Sequence, residues 1–282
     1  MNQFYRSLEE TLSSVSSDPR RELALMAEYA AGIPSDRFLL LCLIDGLPVL
    51  SQDQACRLSD LVRRRAQGEP LQYLLGSADF YGRSFSVRPG VLIPRFDTEI
   101  LVDTALPRLQ EGASVLDLCA GSGCIGLTLG AEKNLRVTCV EKYPEAFALL
   151  QENAAKIYPS ARLVQGDVLT DSVEGTFDMI VSNPPYIPTG DLPSLSIEVR
   201  REPSTALDGG EDGLYFYRIL ASRFVSSLNP GGWMLFECGI DQASSIENIL
   251  RSVGLCDPVT VRDYGGIPRV VGARKPREVS YV

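Results

Sequence analysis

In residues 1 to about 75, apolar positions recur every three to four places, the period of a helix with one buried face. Phe4, Leu8, Leu12 and Val15 form one such series. Asp18-Pro19 is a helix-start signal, with proline at the first helical position, and Leu23, Met26, Ala27 and Ala30 follow until Gly32. Ser51 with Gln54 is a capping-box pattern ahead of Leu58, Leu61 and Val62. The period changes to two between Phe80 and Val87. With the breaker Arg88-Pro89-Gly90 and the apolar Val91-Leu92-Ile93-Pro94, this predicts a β-hairpin between two domains.

Strand and helix patterns then alternate. A helix around 97–110 leads to strands at Ser114–Leu118, Arg136–Val140, Arg162–Val164, Phe177–Ser182, Trp233–Glu237 and Arg269–Ala273, with helices after Gly123 and from Pro144. Such alternation predicts an α/β fold, a mostly parallel sheet with helices on both faces. The expected division is a helical domain at 1–75, a hairpin linker at 76–95 and the α/β domain at 96–282. Residues 187–213 are rich in Pro, Ser, Gly and acids and predict a long irregular segment of the kind that often carries function.

Two strand ends carry the candidate chemistry. Asn183-Pro184-Pro185-Tyr186 follows the apolar run Met179–Ser182. Neither proline has an N–H and both fix φ, so the strand stops there. The turn presents a carboxamide, backbone carbonyls and an aromatic ring where open α/β sheets bind ligands. It offers acceptors and a flat face, which suits a planar NH2 group. The other strand, Val115–Leu118, runs into Cys119-Ala120-Gly121-Ser122-Gly123, a small-residue turn that lets a ligand approach backbone. Glu141 ends the next strand, where a carboxylate accepts ribose hydroxyls. Asp167-Val168 ends the following one, where an acid meets an adenine amino group. The turn lacks the G-x-G-x-x-G spacing of a dinucleotide site. S-adenosylmethionine, an adenosine without phosphate, fits it better.

Composition narrows the chemistry. The chain has 282 residues, 45% hydrophobic and 22% charged, with seven cysteines and no CxxC pair. That is the pattern of reduced thiols, and with no secretory signal or spanning run it predicts a cytoplasmic protein without membrane contact. The absence of histidine removes the commonest general base and metal ligand, so no metal is expected. A net charge of −9 argues against stable nucleic-acid binding. The basic run Arg63-Arg64-Arg65 is expected to be a solvated helix end.

The chain resembles the HemK/PrmC family of release factor glutamine methyltransferases, class I S-adenosylmethionine-dependent enzymes with a Rossmann-like sheet. The resemblance spans nearly the whole length. It rests on Glu69–Gly76, Phe80-Tyr81-Gly82, Leu92–Glu99, the Cys119–Gly123 turn and Asn183–Tyr186, and then on Glu202-Pro203, Ala206-Leu207, Gly209-Gly210, Asp212-Gly213-Leu214 and Tyr217-Arg218. It implies methylation of the glutamine side-chain nitrogen in the Gly-Gly-Gln motif of peptide chain release factors. Cys119, Ala120, Gly121, Ser122 and Gly123 would then lie along the cofactor, with Glu141 on its ribose and Asp167 and Val168 around its adenine. Asn183 would touch cofactor and substrate, with Pro184, Pro185 and Tyr186 completing the glutamine site. Catalysis would fall to the Asn183 oxygen and Pro184 carbonyl, each accepting one amide N–H, and to Tyr186 stacked on the amide. The helical domain would dock the release factor. Three positions depart from the family pattern: Cys119 where glycine is usual, Glu141 where aspartate is frequent, and Phe96 where proline is common. Alternatives of the same chemistry are a ribosomal-protein glutamine methyltransferase and a DNA adenine-amino methyltransferase acting on a flipped base.

Overall fold

The computed structural model describes residues 3–44 and 46–277. They divide into two compact units. One comprises residues 1–77 with 196–201, and the other residues 78–195 with 202–282.

The first unit holds five helices among its described residues: α1 (Gln3–Leu12), α2 (Pro19–Ala31), α3 (Ser35–Leu43), α4 (Gln52–Ala66) and α5 (Leu71–Leu75). Their ends follow local chemistry. Asp18 accepts the Arg21 N–H at 3.1 Å, and Gly32 closes α2 at φ 69°. Ser51 and Gln54 cap α4 reciprocally, at 3.3 and 3.0 Å. Tyr5, Leu12, Leu23, Met26, Phe38 and Leu58 are fully buried together. Val15 lies past α1, in a turn whose N–H reaches Leu12. The expectation of a solvated helix end holds for Arg63 and Arg64 and needs correction at Arg65. Arg65 is buried, because it falls seven residues after Leu58 on the same helix face. Its guanidinium meets Glu22 at 2.7 Å and Glu198 at 2.8 Å. Glu198 belongs to the 196–201 segment, which packs with the helices.

The hairpin forms earlier than expected. Its strands are β1 (Ser77–Phe80) and β2 (Arg83–Ser86). Tyr81 and Gly82 between them have φ of 51° and 70°. Two left-handed residues are what the tightest hairpin turn demands, so the chain reverses there and not at Pro89-Gly90. Val91–Pro94 makes no strand.

The remaining elements are α6 (Phe96–Ala105), β3 (Ser114–Leu118), α7 (Cys124–Lys133), β4 (Arg136–Glu141), α8 (Pro144–Ile157), β5 (Arg162–Gln165), β6 (Phe177–Ser182), α9 (Tyr215–Phe224), β7 (Leu228–Glu237), α10 (Ala243–Ser252), β8 (Cys256–Arg262) and β9 (Pro268–Arg274). The sheet order is β5-β4-β3-β6-β7-β9-β8. Pairs from β5 to β7 are parallel, while β9 runs antiparallel to both β7 and β8. Alternate residues feed two cores. Val115, Val181 and Leu235 pack with Leu101 of α6, Leu127 of α7 and Leu150 of α8. Leu116, Ile180 and Met234 pack with Leu220 of α9 and Leu250 of α10. The period of two thus places helices on both faces. The strand order reverses between β3 and β6, so the crevice at their carboxyl ends is the ligand position of a doubly wound sheet.

Candidate active site

Leu118 of β3 pairs with Ser182 of β6, so Cys119 and Asn183 leave the sheet side by side. The Ser182 hydroxyl fastens the two strand ends by donating to the Leu118 carbonyl at 2.5 Å. The turn after β3 winds through three left-handed residues, Cys119 (φ 59°), Gly121 (φ 56°) and Gly123 (φ 81°). Cys119 is the one that carries a β-carbon, and in a typical chain that conformation costs it about 1–2 kcal/mol. Burial pushes its thiol well above the usual range. Beneath the turn, Asp117 accepts the Gly126 N–H at 2.9 Å. A β-carbon on Gly126 would stand 2.8 Å from that carboxylate and 2.8 Å from the Cys139 sulfur. The other Asp117 oxygen is buried without a partner among the described residues. Burial lifts the Asp117 carboxyl to about 7, against the pull of the Gly126 N–H.

Glu141 closes β4 with its two oxygens on two backbone donors, Gly121 N at 2.9 Å and Tyr143 N at 2.8 Å. A carboxylate has about four acceptor positions, so each oxygen keeps capacity for a ligand hydroxyl. Asp167 meets the Lys142 ammonium at 2.9 Å and the Leu169 N–H at 2.9 Å. Partial burial opposes its charge, yet these partners hold its carboxyl below the usual range.

Past β6, Asn183 donates through Nδ2 to the Thr98 hydroxyl of α6 at 3.3 Å. The Tyr186 main chain is braced by the Gln242 side chain and by two close glycines. The Gln242 amide donates to its carbonyl at 2.8 Å, and β-carbons on Gly209 or Gly213 would stand 2.7 and 2.4 Å from its main chain. The long segment returns beside it, with Ile187 N on Leu207 O and Gly209 N on Ile187 O. This segment contains 3-10 turns at Thr189–Ser194, Val199–Arg201 and Ser204–Ala206. Burial pushes the Tyr186 hydroxyl above its ordinary range.

One cavity gathers most of the expected residues. Cys119, Ala120, Gly121, Ser122, Glu141, Asp167, Val168, Asn183 and Pro185 all line it. Gly123 caps α7 behind the turn, and Pro184 and Tyr186 stand outside the lining. The sequence reading missed another part of the lining. Leu92, Ile93, Pro94 and Arg95 line the cavity as an irregular segment, with the Ile93 N–H on buried Glu202 at 2.9 Å and Arg95 paired to the same carboxylate. The recurring Ile-Pro-Arg and Glu-Pro segments were the available signal, without a role attached. Glu237, at the end of β7, was missed too; a lone acid closing an apolar strand was its signal. The lining combines a carboxylate with spare acceptor capacity, exposed turn backbone and apolar side chains. It carries no imidazole and no activated nucleophile, so it is equipped to hold and aim groups.

Two family models match. "PrmC N-terminal domain" covers residues 3–76, and "Methyltransferase small domain" covers residues 95–196. Among solved structures, a methyltransferase from Pyrococcus furiosus superposes with a TM-score of 0.56 at 20% identity, over 77% of this chain and 99% of that one. The hMettl16 catalytic domain gives 0.57 at 15% identity, over 78% of this chain and 84% of that one. At those identities the likeness is one of fold, the class I methyltransferase fold. Closer in sequence are proteins named release factor glutamine methyltransferase. The one from Geobacter sulfurreducens is 49% identical over 222 residues, 78% of each chain. That from Moorella thermoacetica is 39% identical over 92% of this chain and 93% of its own, and that from Salmonella typhimurium 38% over 96% and 98%. With that identity sustained over nearly the full length, the chain belongs to the release factor glutamine methyltransferase family.

Proposed function

We propose that this chain transfers a methyl group from S-adenosylmethionine to the side-chain amide nitrogen of a release factor glutamine, the one in the Gly-Gly-Gln motif. The observation that carries the reading is the convergence of the Cys119–Ser122 turn, Glu141 and Asn183 on one cavity at the β3–β6 crevice. Glu141 would hold the ribose, the turn backbone the amino-acid moiety, and Asp167 with Val168 the adenine. Bound there, S-adenosylmethionine supplies an electrophilic methyl group on a sulfonium.

The protein's part is positioning. An amide nitrogen is a poor nucleophile because its lone pair is shared with the carbonyl. In our reading, Asn183 Oδ1 and the Pro184 carbonyl each accept one N–H of the glutamine and point its nitrogen along the line of displacement. Orientation of this kind is worth up to about 7–11 kcal/mol. Acceptors aimed at a nitrogen that gains positive charge add more in the transition state than in the ground state. Pro185 and Tyr186 would shape the glutamine site, with Tyr186 placing its ring against the amide plane. The helical unit would dock the release factor away from the glutamine; the exposed Leu40, Leu43, Ile44 and Val49 support that role.

Transfer of labelled methyl to a purified release factor, set against ribosomal proteins in the same assay, tests the proposal. Label on the release factor alone is the expected result. Label confined to a ribosomal protein would reassign the substrate.

A further inference from the structure

The end of β7 holds a charged group that neither the sheet nor the cavity lining explains. Ser182 and Phe236 are register partners, so Asn183 and Glu237 leave adjacent parallel strands at one level. Alternation turns both toward the side of Val181 and Leu235, the face covered by α6. Thr98 of α6 sits there, and Thr98 and Glu237 are each 2% exposed. Asn183 Nδ2 donates to Thr98 Oγ1 at 3.3 Å, and the Thr98 and Asn183 side chains beside the Glu237 carboxyl both favour its charged form. The Glu237 Oε2 atom has no partner among the described residues.

The two ends of a carboxamide differ only in what they donate or accept, so the neighbours of one end decide which end faces outward. The inner end of Asn183 meets the Thr98 hydroxyl, beside a carboxyl whose charged form both side chains favour. Hydroxyl and carboxylate are acceptors toward it, and only the NH2 end satisfies them. A buried carboxylate with an unpartnered oxygen is a poor choice for stability alone, since desolvation is not fully repaid.

We propose that Glu237 is a positioning residue: with Thr98 it holds the NH2 end of Asn183 inward, so that Oδ1 faces the substrate amide, and its negative charge lies behind that carboxamide as the substrate nitrogen turns cationic. The inference rests on the functional reading above. The substrate nitrogen gives its lone pair to the methyl carbon as the S–C bond breaks with its electrons to sulfur. The nitrogen then releases one proton to water. A carboxylate acting across Asn183 in a dry site favours the cationic stage.

The charge state of Glu237 therefore matters. Burial pushes its carboxyl up to about 7, opposed by hydrogen bonding from Thr98 and Asn183. Asp97 of α6 adds to the rise, and Arg269 of β9, 3.0 Å from Asp97, opposes it. The other titratable neighbours, Tyr186, Tyr217, Cys124 and Cys238, are all pushed upward and stay neutral well past pH 8.

The test compares wild type with Glu237→Gln from about pH 5.5 to 8.5, with release factor as substrate. Wild-type kcat should climb with pH and level off above about 7. Glu237→Gln should lack that limb, match wild type at the acid end and fall about tenfold or more below it at pH 8. KM for the release factor and calorimetric affinity for S-adenosylhomocysteine should stay within about threefold. In wild type alone, the Asn183 NH2 resonances should titrate near pH 7. A Glu237→Gln enzyme with wild-type kcat and the same limb would overturn the inference, as would Asn183 resonances that do not move. If wild type labels no release factor at any pH, the functional reading fails instead, and the Asn183 titration still decides its orientation.

Discussion

Asn183 is the residue on which the chemistry turns. Its carboxamide is a neutral acceptor that the end of β6 delivers to the cavity beside the Cys119 turn, and Asn183→Ala removes it without touching Glu141 or Asp167. Methyl transfer should fall about 10²- to 10³-fold, the usual range for loss of one aimed hydrogen-bonding group. S-adenosylhomocysteine affinity should change only a few-fold, as calorimetry would show. Asn183 was legible in the sequence because two prolines stop an apolar strand on it. Glu237 was not, because its partner Thr98 lies far away in the chain and only the fold brings the two together. Asp117 lends itself to a stability test. Its carboxyl rises from an ordinary 3.8 to about 7 on folding, so the native state binds that proton more tightly than the unfolded chain. The stabilisation is fully present below about pH 4 and is lost as pH rises through 7, up to about 4 kcal/mol from this group. Asp117→Asn keeps an acceptor for Gly126. Its denaturant midpoint should therefore depend less on pH between 4 and 7 than wild type's.

Among the elements, the strands that build the crevice were the most readable. Ser114–Leu118 and Phe177–Ser182 appear with the expected limits, because they are buried on both faces and so mostly apolar. The hairpin and β8 were less so. A Tyr81-Gly82 turn carries no standard turn signature in its first residue. In β8, Asp257-Pro258 interrupts the pattern on an edge strand, where a missing N–H is tolerated. The loop after β6 was expected to be irregular, and its function as a brace emerged only from geometry. Gly209 lies against the Tyr186 main chain, with a β-carbon clash at 2.7 Å. Gly209→Ala should displace Asn183–Tyr186 and lower kcat about tenfold or more. Circular dichroism should show the sheet intact, and S-adenosylhomocysteine binding should be largely kept. A variant with unchanged kcat would mean that this loop does not set the position of the tetrapeptide.

For the molecule as a whole, the two units have different expected duties. Residues 78–195 and 202–282 hold the entire cavity lining. The helical unit contributes none of it, yet it exposes Leu40, Leu43, Ile44 and Val49 at 63% or more. Leu40→Ser with Leu43→Ser should raise KM for an intact release factor about tenfold while leaving kcat nearly unchanged, which steady-state kinetics would show. The same variant should treat a short Gly-Gly-Gln peptide as wild type does. The helical composition of this unit was legible from spacing and caps, whereas its apolar surface was not, because a surface leucine and a core leucine look alike in a sequence. The central claim concerns one atom, the side-chain nitrogen of one glutamine. Purified enzyme, S-adenosylmethionine and an unmodified release factor should be incubated together and the product fragmented by mass spectrometry. The account predicts a single added methyl group on the Gly-Gly-Gln glutamine side chain. A release factor recovered unmethylated, or methylated at another residue, would contradict it.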